Sequence, residues 1–297
     1  MAIVGSGVPT NRTNIALPAE VSSEIIAKTQ EESAVMKLAR PVALPGRGAE
    51  IPVIVSDPTA EWVSETGLKP VSNPTLDKKI MSAYKLATIV PFSNEFRRDA
   101  SALFNALVGR LPLVLAQTFD ATVFHGSAPG SNFDTFASVQ AQALDTDVYA
   151  GLVAADADIA DNGGITNGFV ISPKGKSVLL GATDTTKRPL FINNVSEGAV
   201  PMILGAPTYQ SKGAYKAGES TDVVGFAGDW TKALYGIVDG INVSYSEEAT
   251  LTAGTAQSPV QINLFQQNMF AVRVEMEVGF RADTSVFNAL TFTADSE

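Results

Sequence analysis

The stretch Leu76-Asp77-Lys78-Lys79-Ile80-Met81-Ser82-Ala83-Tyr84-Lys85-Leu86-Ala87-Thr88-Ile89-Val90 alternates throughout. Leu76, Lys78, Ile80, Ser82, Tyr84, Leu86, Thr88 and Val90 fall on one face, and the odd-numbered residues fall on the other. As one strand at ~3.3 Å per residue it would reach roughly 50 Å. A compact domain of this length has a radius of gyration of only about 19 Å, hence a diameter near 50 Å. Such a strand cannot be buried along its whole length by its own body, so part of it is expected to project. Its partner is an earlier extended run with Ile51, Val53 and Val55 on one face, and Gly67, Pro70, Asn73 and Pro74 mark the tip between them. A projecting hairpin with Tyr, Ile, Met and Lys on its faces suits a surface that a second copy covers. The residues expected to make that contact are Trp62, Glu65, Lys69, Lys78, Lys79 and Tyr84.

Composition narrows the chemistry. The 297 residues are 45% hydrophobic and 18% charged, ordinary globular material with enough apolar surface for one large core or two small ones. With no cysteine, disulfides, thiolate metal sites and cysteine nucleophiles are excluded. The single histidine, His125, leaves little room for a histidine metal site. A formal charge of −10 argues against a general phosphate-binding surface, although an acidic protein can still enclose DNA without adhering to it. Met1 to Asn14 lacks the basic start and apolar centre of a signal peptide. The most apolar run, Leu103 to Phe119, is broken by Arg110 and Pro112 and is no membrane span. Synthesis in the cytoplasm is expected, with no cofactor.

Along the chain, residues 1–16 read as a flexible arm, and Pro18 opens a helix carrying Val21, Ile25 and Thr29. Ser33 caps a short turn through Ala39. After Val90-Pro91-Phe92-Ser93 the period changes to that of a long helix capped by Asp99 or Ser101, with Phe104, Leu107, Val108, Leu111, Leu115 and Phe119 on one face. Pro112 stands in its middle, which predicts a kink or break, and Gly126 ends it. Asp147 to Asp161 forms a second helix, stopped by Asn162-Gly163-Gly164. Phe169-Val170-Ile171 is a buried strand and Ser172-Pro173 opens the next helix. From Gly240 the pattern is of strands, Ile241 to Tyr245 and then Met269 to Phe280.

These landmarks resemble, in order and spacing, the major capsid proteins of tailed bacteriophages, whose fold is named after phage Hong Kong ninety-seven. Ala60-Glu61-Trp62-Val63-Ser64-Glu65, Lys85-Leu86-Ala87 and Val90-Pro91-Phe92-Ser93-Asn94-Glu95 are similar to the family's extended loop and the entry to its spine helix. Asp120 to Gly126 resembles the exit of that helix. Leu204 to Thr208, Gly228-Asp229-Trp230, Arg273 to Phe280 and Val286-Phe287 are similar to later landmarks, so the likeness covers about Leu17 to Leu290.

The resemblance implies an α+β fold with an N-terminal arm and short helix (1–40), an extended β-hairpin loop (41–98), a peripheral domain with the spine helix and long strands (99–145 and 240–297), and an axial domain (146–239). It implies hexamers and pentamers tiling an icosahedral virion shell around a double-stranded DNA genome, without sequence-specific binding. A portal protein is expected as a partner, and so is a separate scaffolding protein, since the arm is short. Some relatives weld their shells through Lys–Asn isopeptide bonds. Lys69, Lys78 and Lys79 lie in the loop, but no asparagine or catalytic carboxylate is identified to go with them. The alternative within the same fold is an encapsulin-like shell subunit of a bacterial compartment.

Other readings are weaker. Asp156, Asp158 and Asp161 miss the EF-hand spacing, with Ala160 at a ligand position, and read as a solvated helix face. His125, near Asp120 at a helix end where the dipole favours an imidazolium, reads as structural. Trp62 and Trp230, read as strand residues, serve packing or a subunit contact. No glycine pair forms a phosphate loop with its lysine, no Gly-x-Ser-x-Gly elbow is present, and catalysis is not expected.

Overall fold

The computed structural model describes residues 33–46, 48–56, 60, 62–65, 68–69, 71, 75–95, 110–145, 147–183, 190, 202–238, 241–255 and 258–293. The expected arm, the helix after Pro18 and the spine-helix start at Asp99 or Ser101 lie outside these. In chain order the elements begin with α1 (Ala34–Leu38), β1 (Arg40–Ala43), β2 (Ala49–Ser56), β3 (Thr75–Met81) and β4 (Tyr84–Ser93). Helix α2 (Leu111–His125), β5 (Gln140–Ala143), α3 (Val148–Asp161), β6 (Gly168–Ile171) and α4 (Pro173–Gly181) follow. The remainder is β7 (Met202–Ile203), β8 (Ala206–Gln210), β9 (Asp222–Gly228), β10 (Ala233–Ile237), β11 (Asn242–Ser246), β12 (Thr250–Thr255), β13 (Ser258–Asn263), β14 (Met269–Ala282) and β15 (Phe287–Phe292).

Two sheets carry the body. One is organised by β14, which pairs antiparallel with β4 from Met269 to Val278, with β11 from Ala271 to Glu275 and with β10 from Val278 to Ala282. Strand β1 adds in parallel to β10. The other has six strands in the order β5-β15-β9-β6-β8-β7. Strands β5 and β15 thus belong to the six-stranded sheet, and β1 and β10 to the sheet of β14.

The alternating run is not one strand. It is broken at Ser82-Ala83, with β3 pairing only with β2 and β4 pairing along β14. Met81, odd-numbered, is fully buried, whereas Leu86, Thr88 and Val90 of the even set turn inward on β4 beside exposed Lys85, Ala87 and Ile89. The inward face thus changes parity across the break, which uninterrupted alternation forbids. Tyr84 to Ser93, within the expected extended loop, pairs along β14.

Local signals set the helices. Ser33 caps α1 by accepting from the Met36 N–H at 3.1 Å. Asp147 caps α3 through the N–H groups of Tyr149 and Ala150, and Ser172 caps α4 through Gly175. Pro112 occupies the first turn of α2 rather than its middle, where a missing N–H costs nothing. Leu115, Phe119, Val123 and Phe124 of α2 are buried. Between the sheets lies an aromatic core. Phe136 stacks on Phe287 at 4.3 Å, Phe124 stacks on Phe226 at 4.8 Å, and Trp230 meets Phe287 edge-on at 5.2 Å. Trp230 sits on a 3-10 turn rather than a strand, with its indole N–H bonded to the Gly168 carbonyl at 3.1 Å.

His125 departs from expectation. Its ring is half-buried 5.2 Å from Phe226, and burial, reinforced by nearby Lys216, pushes its pKa below the usual value against a backbone hydrogen bond at Ala214. Desolvation at this helix end favours the neutral imidazole.

Asp120 joins three segments. It is buried and accepts from Ser33 Oγ (2.6 Å), Ala34 N (3.0 Å), Val35 N (3.3 Å) and Ser211 Oγ (2.8 Å). Burial raises its pKa, partly offset by these four donors, led by Ser33. Asp120→Asn replaces one acceptor oxygen with a donor and should cost about 2–3 kcal/mol in chemical denaturation. Because the folded pKa is raised, the wild type should gain stability over the variant as pH falls through that raised value. The gain should level off below the ordinary carboxylate range.

Candidate functional site

The ribbon of β2 and β3 is an independent two-stranded sheet, with Ala49 opposite Met81 and Ile54 opposite Leu76. Two glycines shape its root. Gly48 has φ +86°, and a Cβ there would come within 2.7 Å of the Met81 carbonyl. Gly279 of β14 lets the Ser82 carbonyl approach to where a Cβ would be 2.7 Å away. Each position excludes larger residues for steric reasons.

The six expected contact residues divide. Trp62, Glu65 and Lys69, all in the connection between β2 and β3, are exposed. Trp62 stands outside any strand. Lys78 is exposed on β3 and pairs with Glu50 across the ribbon at 2.6 Å, which raises its pKa through that hydrogen bond.

The other two turn inward. Lys79 donates to the Ala282 carbonyl at 2.8 Å and lies 3.7 Å from Asp134. Tyr84 is off the hairpin altogether: its ring meets Phe133 edge-on at 6.0 Å, and its hydroxyl accepts from the Asn132 N–H at 3.2 Å. Both are thus engaged within their own subunit.

Sequence reading missed two exposed apolar residues in the same connection. Leu68 is 98% exposed and Val71 is 91% exposed, in company with fully exposed Trp62. Apolar side chains among Gly, Pro, Ser and Asn were the available signal. Single exposed apolar residues are common, whereas here three stand on one connection, a tryptophan among them. An exposed aromatic flanked by aliphatic and charged neighbours has the composition of a binding anchor and its rim. Among the described residues no cluster of three His, Asp or Glu could hold a metal, and no helix is long and apolar enough to cross a membrane.

The phage capsid family model matches residues 13–290. The chain belongs to the phage capsid family. It is 29% identical over 290 residues to the probable major capsid protein gp17 of Mycobacterium phage D29, covering 93% of this chain and 89% of the relative. To the major capsid protein of Staphylococcus phage 80alpha it is 24% identical, covering 91% and 83%. Among solved structures, a chain of Mycobacterium phage Adephagia superposes with a TM-score of 0.71 at 19% identity, covering 89% of this chain and 91% of that one. One of Microbacterium phage Oxtober96 gives 0.69 at 21%, covering 98% and 96%. The capsid of an empty GTA particle computed with C5 symmetry gives 0.64 at 14%, with the same coverage. The α+β capsid fold is thus that of this chain, and the protein is a capsid subunit that assembles with its own copies into a phage shell.

The two tryptophans of this capsid subunit should separate stability from assembly. Trp62→Ala removes a side chain fully exposed in the subunit and should shift the melting temperature by less than about 2 °C. Trp230→Ala empties a packed core site and should cost about 3–5 kcal/mol in the same denaturation assay.

Proposed function

We propose that this chain is a major capsid protein whose β2–β3 hairpin lies on the neighbouring subunit, closing hexamers and pentamers that tile an icosahedral shell. The observation that carries the reading is the exposed set Trp62, Leu68 and Val71 on a ribbon whose strands, among the described residues, pair only with each other. A closed ring needs one surface of a copy to meet a different surface of the next, and a projecting hairpin supplies the first of these. The fivefold symmetry named for the GTA particle supports pentamers in a related shell. The sheet of β14 corresponds to the peripheral domain in this reading, and the six-stranded sheet to the axial one.

The shell encloses double-stranded DNA. With a net charge of −10, containment without sequence-specific adhesion is the physically consistent arrangement. Assembly in the host bacterial cytoplasm with a separate scaffolding protein and a portal completes the reading. The chain's role is structural rather than catalytic, in keeping with a family of shell subunits.

Deleting residues 66–74, which removes Leu68 and Val71, should leave a folded subunit by circular dichroism that forms few closed particles in electron micrographs. Lys78→Glu should act in the same direction more weakly and most visibly at low salt, since screening already weakens such exposed contacts. Normal shells of normal thermal stability from the deletion variant would remove the hairpin from the interface.

A further inference from the structure

We propose that Arg281 is a positioning residue that sets the direction in which the hairpin leaves the body. The proposal rests on the reading of the hairpin as the neighbour contact and adds how it is aimed. A two-stranded ribbon that pairs with no third strand has no lateral ladder to orient it, so its direction is decided at the root.

Three segments meet there. Arg281, near the end of β14, has a side chain only 12% exposed. Its Nε donates to the Ile80 carbonyl on β3 at 2.7 Å, Nη1 to Asp134 Oδ1 at 2.8 Å and Nη2 to Asn132 Oδ1 at 3.1 Å. Asn132 passes the connection on: its Nδ2 donates to Ser82 Oγ at 3.0 Å and its backbone N–H to the Tyr84 hydroxyl at 3.2 Å. The chain is therefore held across the strand break, at Ile80 before it, at Ser82 within it and at Tyr84 after it. Asp134 closes the clasp by accepting from the Ala282 N–H at 3.1 Å through its second oxygen, which lies 3.7 Å from Lys79.

A guanidinium suits this post. Its donors lie in one rigid plane, so three acceptors on two other segments, β3 and the Asn132–Asp134 stretch, fix an orientation as well as a distance, which a lysine ammonium cannot do. Fixing the direction before assembly removes part of the ordering cost at the interface, so the free subunit presents Trp62, Leu68 and Val71 already aimed.

The absence of cysteine permits a direct test in the full-length, unassembled subunit. Spin labels at Lys78→Cys on the ribbon and Asp156→Cys on α3 report the hairpin-to-body distance distribution. With Arg281 intact the distribution should be a single narrow peak. Arg281→Ala should broaden it roughly twofold, with Arg281→Lys between, as local order at the root is lost. The yield of closed shells should drop roughly tenfold as the lost preorganisation must be supplied during assembly.

An unchanged distribution in Arg281→Ala overturns the proposal, whatever the shell yield. If that variant does not fold, Asn132→Ala breaks the links to Ser82 and Arg281 from a half-buried loop and is read the same way. The two readings separate cleanly. Broadening in Arg281→Ala together with normal shells from the 66–74 deletion keeps the clasp and removes the neighbour contact. The reverse pair of results keeps the contact and removes the clasp.

Discussion

Every backbone N–H and C=O in a strand must find a partner, and between Met81 and Tyr84 the chain changes the strand that supplies them. Before the break the partner is β2, reached by a hairpin turn. After it the partner is β14, along ten residues from Met269 to Val278. No single straight strand can satisfy two ladders that run in different places. The interruption at Ser82-Ala83 is the consequence, and it leaves β2 and β3 as a two-stranded sheet of their own.

The body is fastened by a core of its own, which the ribbon meets at its root, where Met81 is buried. Aromatic rings from α2, β9, β14, β15 and the 127–139 segment meet between the two sheets, so both are fastened to one core. Asp120 adds a polar tie from α2 to α1 and to the turn at Ser211, far from the ribbon. The apolar residues of the ribbon connection contribute nothing comparable within one subunit, since exposed side chains gain no burial on folding. In the proposed contact their free energy is realised only when another surface covers them.

Much of this was legible in the residues. Helix α3 was read from Asp147 to its Asn162-Gly163-Gly164 stop, and α4 from Ser172-Pro173, because such signals are local. The hairpin itself was readable from its alternating runs and the Gly, Pro and Asn residues between them. The contact residues were only partly readable. Trp62, Glu65, Lys69 and Lys78 are exposed as expected, whereas Lys79 and Tyr84 are engaged by Asp134, Asn132, Phe133 and Ala282, residues about 50 or 200 positions away. Leu68 and Val71 went unread because a turn-rich stretch draws attention to its breakers rather than its apolar residues.

Residue pattern alone determined that there would be two extended runs, capped helices and a capsid-type order of landmarks, since each depends on neighbours within a few positions. Which strand each run pairs with was decided only by the tertiary structure. Alternation states that a segment has two faces. It does not state which face is inward or where that choice reverses, and here it reverses within Ser82-Ala83. The same holds for Arg281, whose three acceptors come together only after β3, β14 and the 127–139 segment have packed.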